Sequence, residues 1–205
     1  MKGKFISFEG SEGSGKSTQI QLLAKYLEGK KVPFELIREP GGVKISEAIR
    51  NILLDAKNKE MGDECETLLY MAARAQLVGE VIAPKLKEGK VILCDRFLDS
   101  TVAYQGYGNK VDIKLIKLIG AFATRNIEPD LTFYFDLNVS KGLSRISRDK
   151  DRIEQRPLDY HERVREGYLQ LAKENKRRIK HIEVNKSREE IHAIVAGYVD
   201  ELLKI

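Results

Sequence analysis

Gly10-Ser11-Glu12-Gly13-Ser14-Gly15-Lys16-Ser17, with Thr18 behind it, decides how the rest of this chain is read. The run fits G-x-x-x-x-G-K-[ST], the phosphate-cradling P-loop pattern. Its flanks agree with that reading. Phe5-Ile6-Ser7-Phe8 ahead of it reads as a short apolar strand. Ile20, Leu23, Ala24 and Leu27 behind it recur at i, i+3, i+4 and i+7, the spacing of a helix with one apolar face. The loop therefore joins a strand to a helix. Its glycines let successive backbone N–H groups turn inward toward phosphate oxygens. The helix start adds the positive end of its dipole. Lys16 supplies a mobile cation for the β and γ phosphates of a nucleoside triphosphate, and the Ser17 hydroxyl can ligate Mg²⁺. A Gly/Ser turn without a ligand would need Gly-Lys-Ser to fall at this junction by accident.

The bulk composition narrows the class. A length of 205 residues suits one compact domain, residues 1–205, with room for a mobile insertion. Apolar content of 42% and charged content of 33% fit a globular chain, not a disordered one. The formal charge of +5 suits an anionic substrate and calls for neither nucleic acid nor a membrane. Cys65 and Cys94 are too few and too far apart for a disulfide framework or a metal cluster. They fit a reducing compartment, each as an ordinary buried thiol. No apolar run approaches the ~20 residues that span a bilayer. The first strand begins almost at once, which leaves no evident secretory leader. The expectation is a cytoplasmic protein.

Five apolar runs read as strands: Phe5–Phe8, Phe34–Ile37, Val91–Cys94, Leu131–Asp136 and His181–Val184. Helical patterns separate them. Ile45, Ala48, Ile49, Ile52 and Leu53 mark one, and a long one runs from about Asp63 to Lys87. Ile116, Ile119, Phe122 and Ala123 mark another, and Ile191, Ile194, Val195, Tyr198 and Leu202 the last. Strands alternating with helices predict a five-stranded parallel sheet with helices on both faces, a doubly wound α/β fold. Ligands collect at the carboxyl ends of such strands. Those ends carry Glu9 and the P-loop, Arg38-Glu39-Pro40-Gly41-Gly42, and Asp95-Arg96. Asp95 closes an apolar strand, where an oxygen ligand for Mg²⁺ belongs; a local structural ion pair is the plainer alternative. Arg96 beside it offers a rigid fork for a phosphate.

With these segments quoted, the chain resembles the bacterial-type thymidylate kinases, within the P-loop kinase fold. The resemblance rests on the P-loop with Glu12 inside it and on Arg38–Gly42. It rests also on Tyr70-Met71-Ala72-Ala73-Arg74-Ala75-Gln76, the Asp95–Gln105 segment and Asp151-Arg152-Ile153-Glu154-Gln155, all in order. It implies transfer of the ATP γ-phosphate to dTMP with Mg²⁺, held by Ser17 and Asp95, in a homodimer. Tyr70 would stack on thymine, although a tyrosine on a helix also suits a core. Arg74 would donate to thymine O4, where cytosine presents a donor instead. Ser100, Thr101 and Gln105 would complete the base pocket. Tyr104 would lie against the deoxyribose, Glu12 would accept from its 3′-hydroxyl, and Arg38 and Arg96 would grip the phosphate. A tight turn at Glu39-Pro40 can include a cis bond.

Residues 141–156 carry Lys141, Arg145, Arg148, Lys150, Arg152 and Arg156 against Asp149, Asp151 and Glu154, an excess of +3. A solvated helix face would look the same. The resemblance favours a lid over ATP. Some family members carry a basic residue inside the P-loop and others in the lid. Gly13-Ser14-Gly15 leaves the task here to the lid. Arg148 is the first choice, with Arg145 and Arg152 beside it. Two other readings fit the residues less well. A kinase for another nucleoside monophosphate conflicts with Arg74 and Tyr104. A GTP switch needs Asn-Lys-x-Asp, and Asn185-Lys186-Ser187-Arg188 has arginine where aspartate is required. His161, His181 and His192 sit in no motif and suit surface or packing roles.

Overall fold

The computed structural model describes residues 3–205. In chain order the elements are β1 (Lys4–Gly10), α1 (Lys16–Gly29), β2 (Phe34–Arg38), α2 (Lys44–Leu54), α3 (Asp63–Leu77), a π-helical segment Val78–Ile82 and α4 (Ala83–Lys87). Then come β3 (Val91–Asp95), α5 (Leu98–Thr101), a second π-helical segment Val102–Gly108 and α6 (Ile113–Thr124). The chain finishes with β4 (Leu131–Asp136), α7 (Val139–Leu143), α8 (Leu158–Glu174), β5 (Ile179–Glu183) and α9 (Arg188–Leu203).

The five strands form one sheet in the order β2-β3-β1-β4-β5, and every neighbouring pair is parallel. The doubly wound α/β architecture expected from the alternating pattern is the one the chain adopts. Central β1 is buried on both faces, and strand alternation divides its side chains. Ile6 and Phe8 pack with Leu93, Phe133 and Phe135 under Ile20, Leu23 and Leu27 of α1 and Ile191, Val195 and Val199 of α9. On the opposite face Phe5 packs with Ile92, Leu77, Val78, Ile82 and Phe97. Full burial of one such aliphatic or aromatic side chain contributes about 1.5–3 kcal/mol. Ser7 shares the Phe5 face and meets Thr132, Oγ to Oγ1, at 2.7 Å, so its hydroxyl is satisfied inside the core. Glu9 follows on the same face, fully buried, and enters the site described below.

Three elements differ from the sequence expectation. The helix expected from Asp63 to Lys87 is interrupted by the π-helical segment. Pro84 has no N–H and crowds the carbonyl one turn back, so the regular ladder cannot pass through it unchanged. Strand β5 starts at Ile179, two residues earlier than the apolar run, because backbone pairing from Thr132↔Ile179 sets the edge. Helix α8 carried no clear signal. Its buried face is Tyr160, His161, Val164, Gly167, Tyr168, Leu171 and Ala172, spaced for a helix but diluted by histidine, glycine and tyrosine. Cys94 is buried as expected, whereas Cys65 is exposed.

Candidate active site

The carboxyl ends of β1, β2 and β3 open into one cavity of about 520 Å³. The P-loop forms one wall, from Glu12 to Thr18. Lys16 turns inward and donates to the carbonyl oxygens of Gly10 and Ser11, both at 2.9 Å. Gly10 and Ser11 themselves lie outside the cavity lining. Burial pushes the Lys16 amine down to about 8, helped by Arg96 and opposed by Glu12, Asp95 and Glu9. The Ser17 hydroxyl lies 3.4 Å from Asp95 Oδ2. Asp95 Oδ1 is buried without a hydrogen-bond partner among the described residues.

Arg96 is the electrostatic centre. Its backbone sits in the left-handed region at φ 72°, which swings the side chain across the strand ends. Nη2 donates to both Glu12 carboxylate oxygens at 2.8 and 2.7 Å and to the Tyr104 hydroxyl at 3.1 Å. Nη1 donates to Ser100 Oγ and Tyr168 OH, both at 3.2 Å. The guanidinium lies 5.0 Å over the Tyr104 ring, in cation–π range. Burial alone would raise the Glu12 carboxyl, but Arg96 and Lys16 outweigh it and hold Glu12 down at about 2.

Beneath Arg96 lies a residue that the sequence reading left without a role. Glu9 accepts from the Phe97 backbone N–H at 2.7 Å, from Ser100 Oγ at 2.6 Å and from Tyr168 OH at 3.1 Å. It thereby fixes the turn that follows Arg96. Burial first, then Asp99, pushes its carboxyl up to about 8. The only sequence signal was a charged residue at the end of an apolar strand. Tyr168 gave none.

Deeper in the cavity Arg74 is 2% exposed. Its Nε donates to Glu39 Oε2 at 2.7 Å, Nη1 to Thr101 Oγ1 at 3.0 Å and Nη2 to the Phe97 carbonyl at 3.0 Å. The preceding Glu39-Pro40 bond is cis. Tyr70, Ser100, Thr101, Tyr104 and Gln105 line the same cavity. Arg38 lines its rim and donates to both Glu47 carboxylate oxygens at 3.0 and 3.1 Å. Arg50 joins it there, donating to the Pro40 carbonyl at 2.9 Å; no motif in the sequence marked it.

The 141–156 segment divides. Arg148 lines the cavity and is held by both Glu154 oxygens, at 2.9 and 2.7 Å. Arg145 lies outside the lining and donates to the Gly13 carbonyl at 2.8 Å. Arg152 was expected to face the triphosphate, and the fold does not bring it there. It is buried, its Nε donates to the Leu53 carbonyl at 2.8 Å, and it pairs with Glu66 at 2.6 Å. Nor is the segment one solvated helix: α7 ends at Leu143, and Arg152, Ile153 and Glu154 are buried. Gly142 of α7 packs directly on the P-loop, since a Cβ there would collide with the Glu12 carbonyl oxygen. His161 is buried and its imidazole is pushed down by burial, a packing role.

Two expected outcomes follow from this geometry. Gly142→Ala should lower turnover at least about tenfold while leaving the melting temperature within a few degrees, since it separates α7 from the loop without touching the sheet core. Unchanged turnover would show that this close approach is dispensable. The second concerns Glu9, which keeps a proton in the folded chain that the unfolded chain releases above 4.5. Its contribution to stability is therefore complete below pH 4.5 and lost as pH rises to about 8. Denaturant midpoints measured across that window should fall more steeply for the parent than for Glu9→Gln. Parallel curves would contradict the raised carboxyl.

The geometry has counterparts among known proteins. The family model described as thymidylate kinase matches residues 8–195. A thymidylate kinase of Carboxydothermus hydrogenoformans is 47% identical over 204 residues, covering 98% of this chain and 99% of the relative. One from Kosmotoga olearia is 48% identical over 190 residues, covering 92% and 91%. The solved structure of thymidylate kinase from Ehrlichia chaffeensis superposes with a TM-score of 0.78 at 33% identity, covering 97% of this chain and 99% of that one. With the family model matched over most of its length, relatives near half identical along nearly the whole chain and a solved structure of the same fold, the chain belongs to the thymidylate kinase family.

Proposed function

We propose that the chain transfers the γ-phosphoryl group of ATP to dTMP, giving dTDP and ADP. The observation that carries this reading is that the P-loop and the Arg74 pocket open on one cavity, with the Arg96–Glu12 pair between them. Donor and acceptor halves are then adjacent, which is most of what phosphoryl transfer asks of a protein. Arg74, held by Glu39 and Thr101, would donate to thymine O4, with Tyr70 against the ring and Ser100, Thr101 and Gln105 around it. A donor in that position disfavours the cytosine amino group. Tyr104 would cover the sugar edge where a 2′-hydroxyl would stand. Arg96 and Lys16 hold the Glu12 carboxyl down at about 2, which favours its ionised form. It can therefore accept from the 3′-hydroxyl.

The acceptor phosphate is already an anion, so no strong general base is required. Arg38 and Arg96 would hold it for in-line attack. Lys16 would exchange the Gly10 and Ser11 carbonyls for β and γ oxygens. Gly13, Ser14 and Gly15, followed by Ser17 and Thr18, would surround the phosphates with N–H and hydroxyl groups. Charge spreading over the moving group would be met by Arg148, released from Glu154, with Arg145 over the loop. Such an arginine contributes about 10³–10⁵ in rate in comparable systems. The donor set Ser17 and Asp95 fits Mg²⁺: both offer hard oxygen, and Asp95 Oδ1 is buried without a partner among the described residues. Ser17 and Asp95 would hold Mg²⁺ beside the nucleotide, where it would supply positive charge to the phosphates. No group of three or more His, Cys, Asp or Glu that could hold a metal occurs among the described residues, so phosphate oxygens and water would complete the shell.

The GTP-switch reading loses further ground. Asn185 donates to its neighbour Glu183 at 2.9 Å, and Ser187 caps α9 in a capping box with Glu190. Both have local structural partners. No helix among the described residues is long and apolar enough to cross a membrane; a cytoplasmic location suits the substrates. A homodimer suits the surface of α6, where Leu118 is 70% and Phe122 86% exposed, beside Leu68 of α3 at 54%. Farther along α3 and the π-helical segment after it, Met71, Leu77, Val78 and Ile82 are buried and belong to the core.

ADP release measured with Mg-ATP and dTMP, dUMP, dCMP, CMP or AMP tests the assignment. dTMP should exceed dCMP by at least about a hundredfold in kcat/KM. A preference for any other acceptor would sink the reading. Phe122→Glu should shift sedimentation from dimer to monomer; a parent chain that sediments as a monomer would remove the dimer.

A further inference from the structure

Glu66, in the first turn of α3, lies outside every role given above. It is 0% exposed, and its two carboxylate oxygens face different parts of the molecule. Oε1 accepts from Gln105 Nε2 and Asn109 Nδ2, both at 2.9 Å. Gln105 stands in the π-helical segment 102–108 that also carries Tyr104, and both line the cavity. Oε2 lies 2.6 Å from Arg152 Nη2 and 3.4 Å from Arg156 Nη2. Those arginines belong to the end of the 141–156 segment. A buried carboxylate needs partners to offset its lost hydration. One arginine would largely meet that need, so the division between two functional elements calls for its own explanation.

The segment side of the link is stiff. Arg152 is also held by its Nε on the Leu53 carbonyl at 2.8 Å and its backbone N–H on the Leu54 carbonyl at 3.2 Å. Ile153, next in the chain, is buried in the core and lines the cavity. Glu154, next again, holds Arg148 by both oxygens. Arg156 stacks 5.4 Å from the Tyr160 ring. From the base pocket to the arginine on the cavity wall the path thus runs Gln105, Glu66, Arg152, Glu154, Arg148, with a hydrogen bond, an ion pair or two peptide units at each step.

We propose that Glu66 is a positioning residue that joins the acceptor pocket to the foot of the 141–156 segment, so that dTMP seated against Gln105 sets the pose of Arg148 for ATP. This rests on the function proposed above. A ligand biases two arrangements only by binding them differently. Displacing Gln105 toward or away from a base loads one oxygen of Glu66 and thereby the arginines on the other. The coupling is reciprocal: dTMP tightens the ATP site by the factor with which ATP tightens the dTMP site.

The test uses the full chain and a non-hydrolysable ATP analogue. Its Kd is measured with and without saturating dTMP, beside ATP hydrolysis in the absence of acceptor. In the parent, dTMP should tighten the analogue on the order of tenfold. Glu66→Gln keeps a carbonyl for Gln105 and Asn109 but turns a donor toward Arg152. It should bring the factor close to one, while Kd for dTMP alone stays within about threefold. A role confined to fold stability would lower the melting temperature and leave the factor intact. That result overturns the proposal, as does a parent factor of one. Should Glu66→Gln not fold, Arg152→Gln carries the same expectation from the other side of the pair. A chain that does not phosphorylate dTMP fails the functional reading; one that does so without coupling fails only this inference.

Discussion

The ion pair between Arg96 and Glu12 is the constraint on which the site depends. One partner ends a strand and the other lies inside the phosphate loop, so the pair fixes two elements at once. Arg96 reaches it only through a left-handed backbone at φ 72°. That conformation is unfavourable for a residue with a side chain and persists only where its surroundings hold it. Glu9 does so from below by accepting the Phe97 N–H at 2.7 Å. Breaking the pair on one side would leave a part-buried charge without its partner at the cavity mouth. The loop, the turn after β3 and the hydroxyls of Ser100, Tyr104 and Tyr168 therefore stand or fall together.

How much of this was legible before the fold was known depends on the range of each interaction. The P-loop was legible because its function is local: glycines, lysine and serine act within eight consecutive residues. The parallel sheet was legible because its three central strands are buried on both faces and read as apolar runs. Arg38, Arg74, Asp95 and Arg96 were legible as charged residues at strand ends or in recognisable segments. Arg152 was misplaced for a physical reason. Charge and position made it resemble its neighbours Arg145 and Arg148. Only the partner Glu66, far away in sequence, shows that its charge is spent inside the protein. Helix α8, Tyr168 and Arg50 were silent because their partners lie on other elements, and the helical spacing of α8 is carried largely by tyrosine, histidine and glycine instead of aliphatic side chains.

The arginines of the 141–156 segment sort themselves by partner rather than by order. Arg152 and Arg156 face inward to Glu66. Arg145 meets a backbone carbonyl of the loop. Arg148, with 64% of its side chain exposed, is paired to the Glu154 carboxylate at the cavity wall. One short segment thus combines arginines turned inward to a buried carboxylate with one whose own side chain lies largely in solvent.

The contact between α7 and the P-loop has a consequence for how such enzymes can vary. Gly142 bears on the Glu12 carbonyl, and a Cβ at Gly13 would in turn collide with the Gly142 carbonyl. Two backbones touch with no side chain between them. A loop that carried its own arginine at position 13 would have to push α7 away, and the segment behind it would lose its footing. A cation inside the loop and a lid seated on the loop are therefore competing solutions in this architecture. In this chain the backbone contact leaves no room for a side chain at position 13, whichever arginine serves the site.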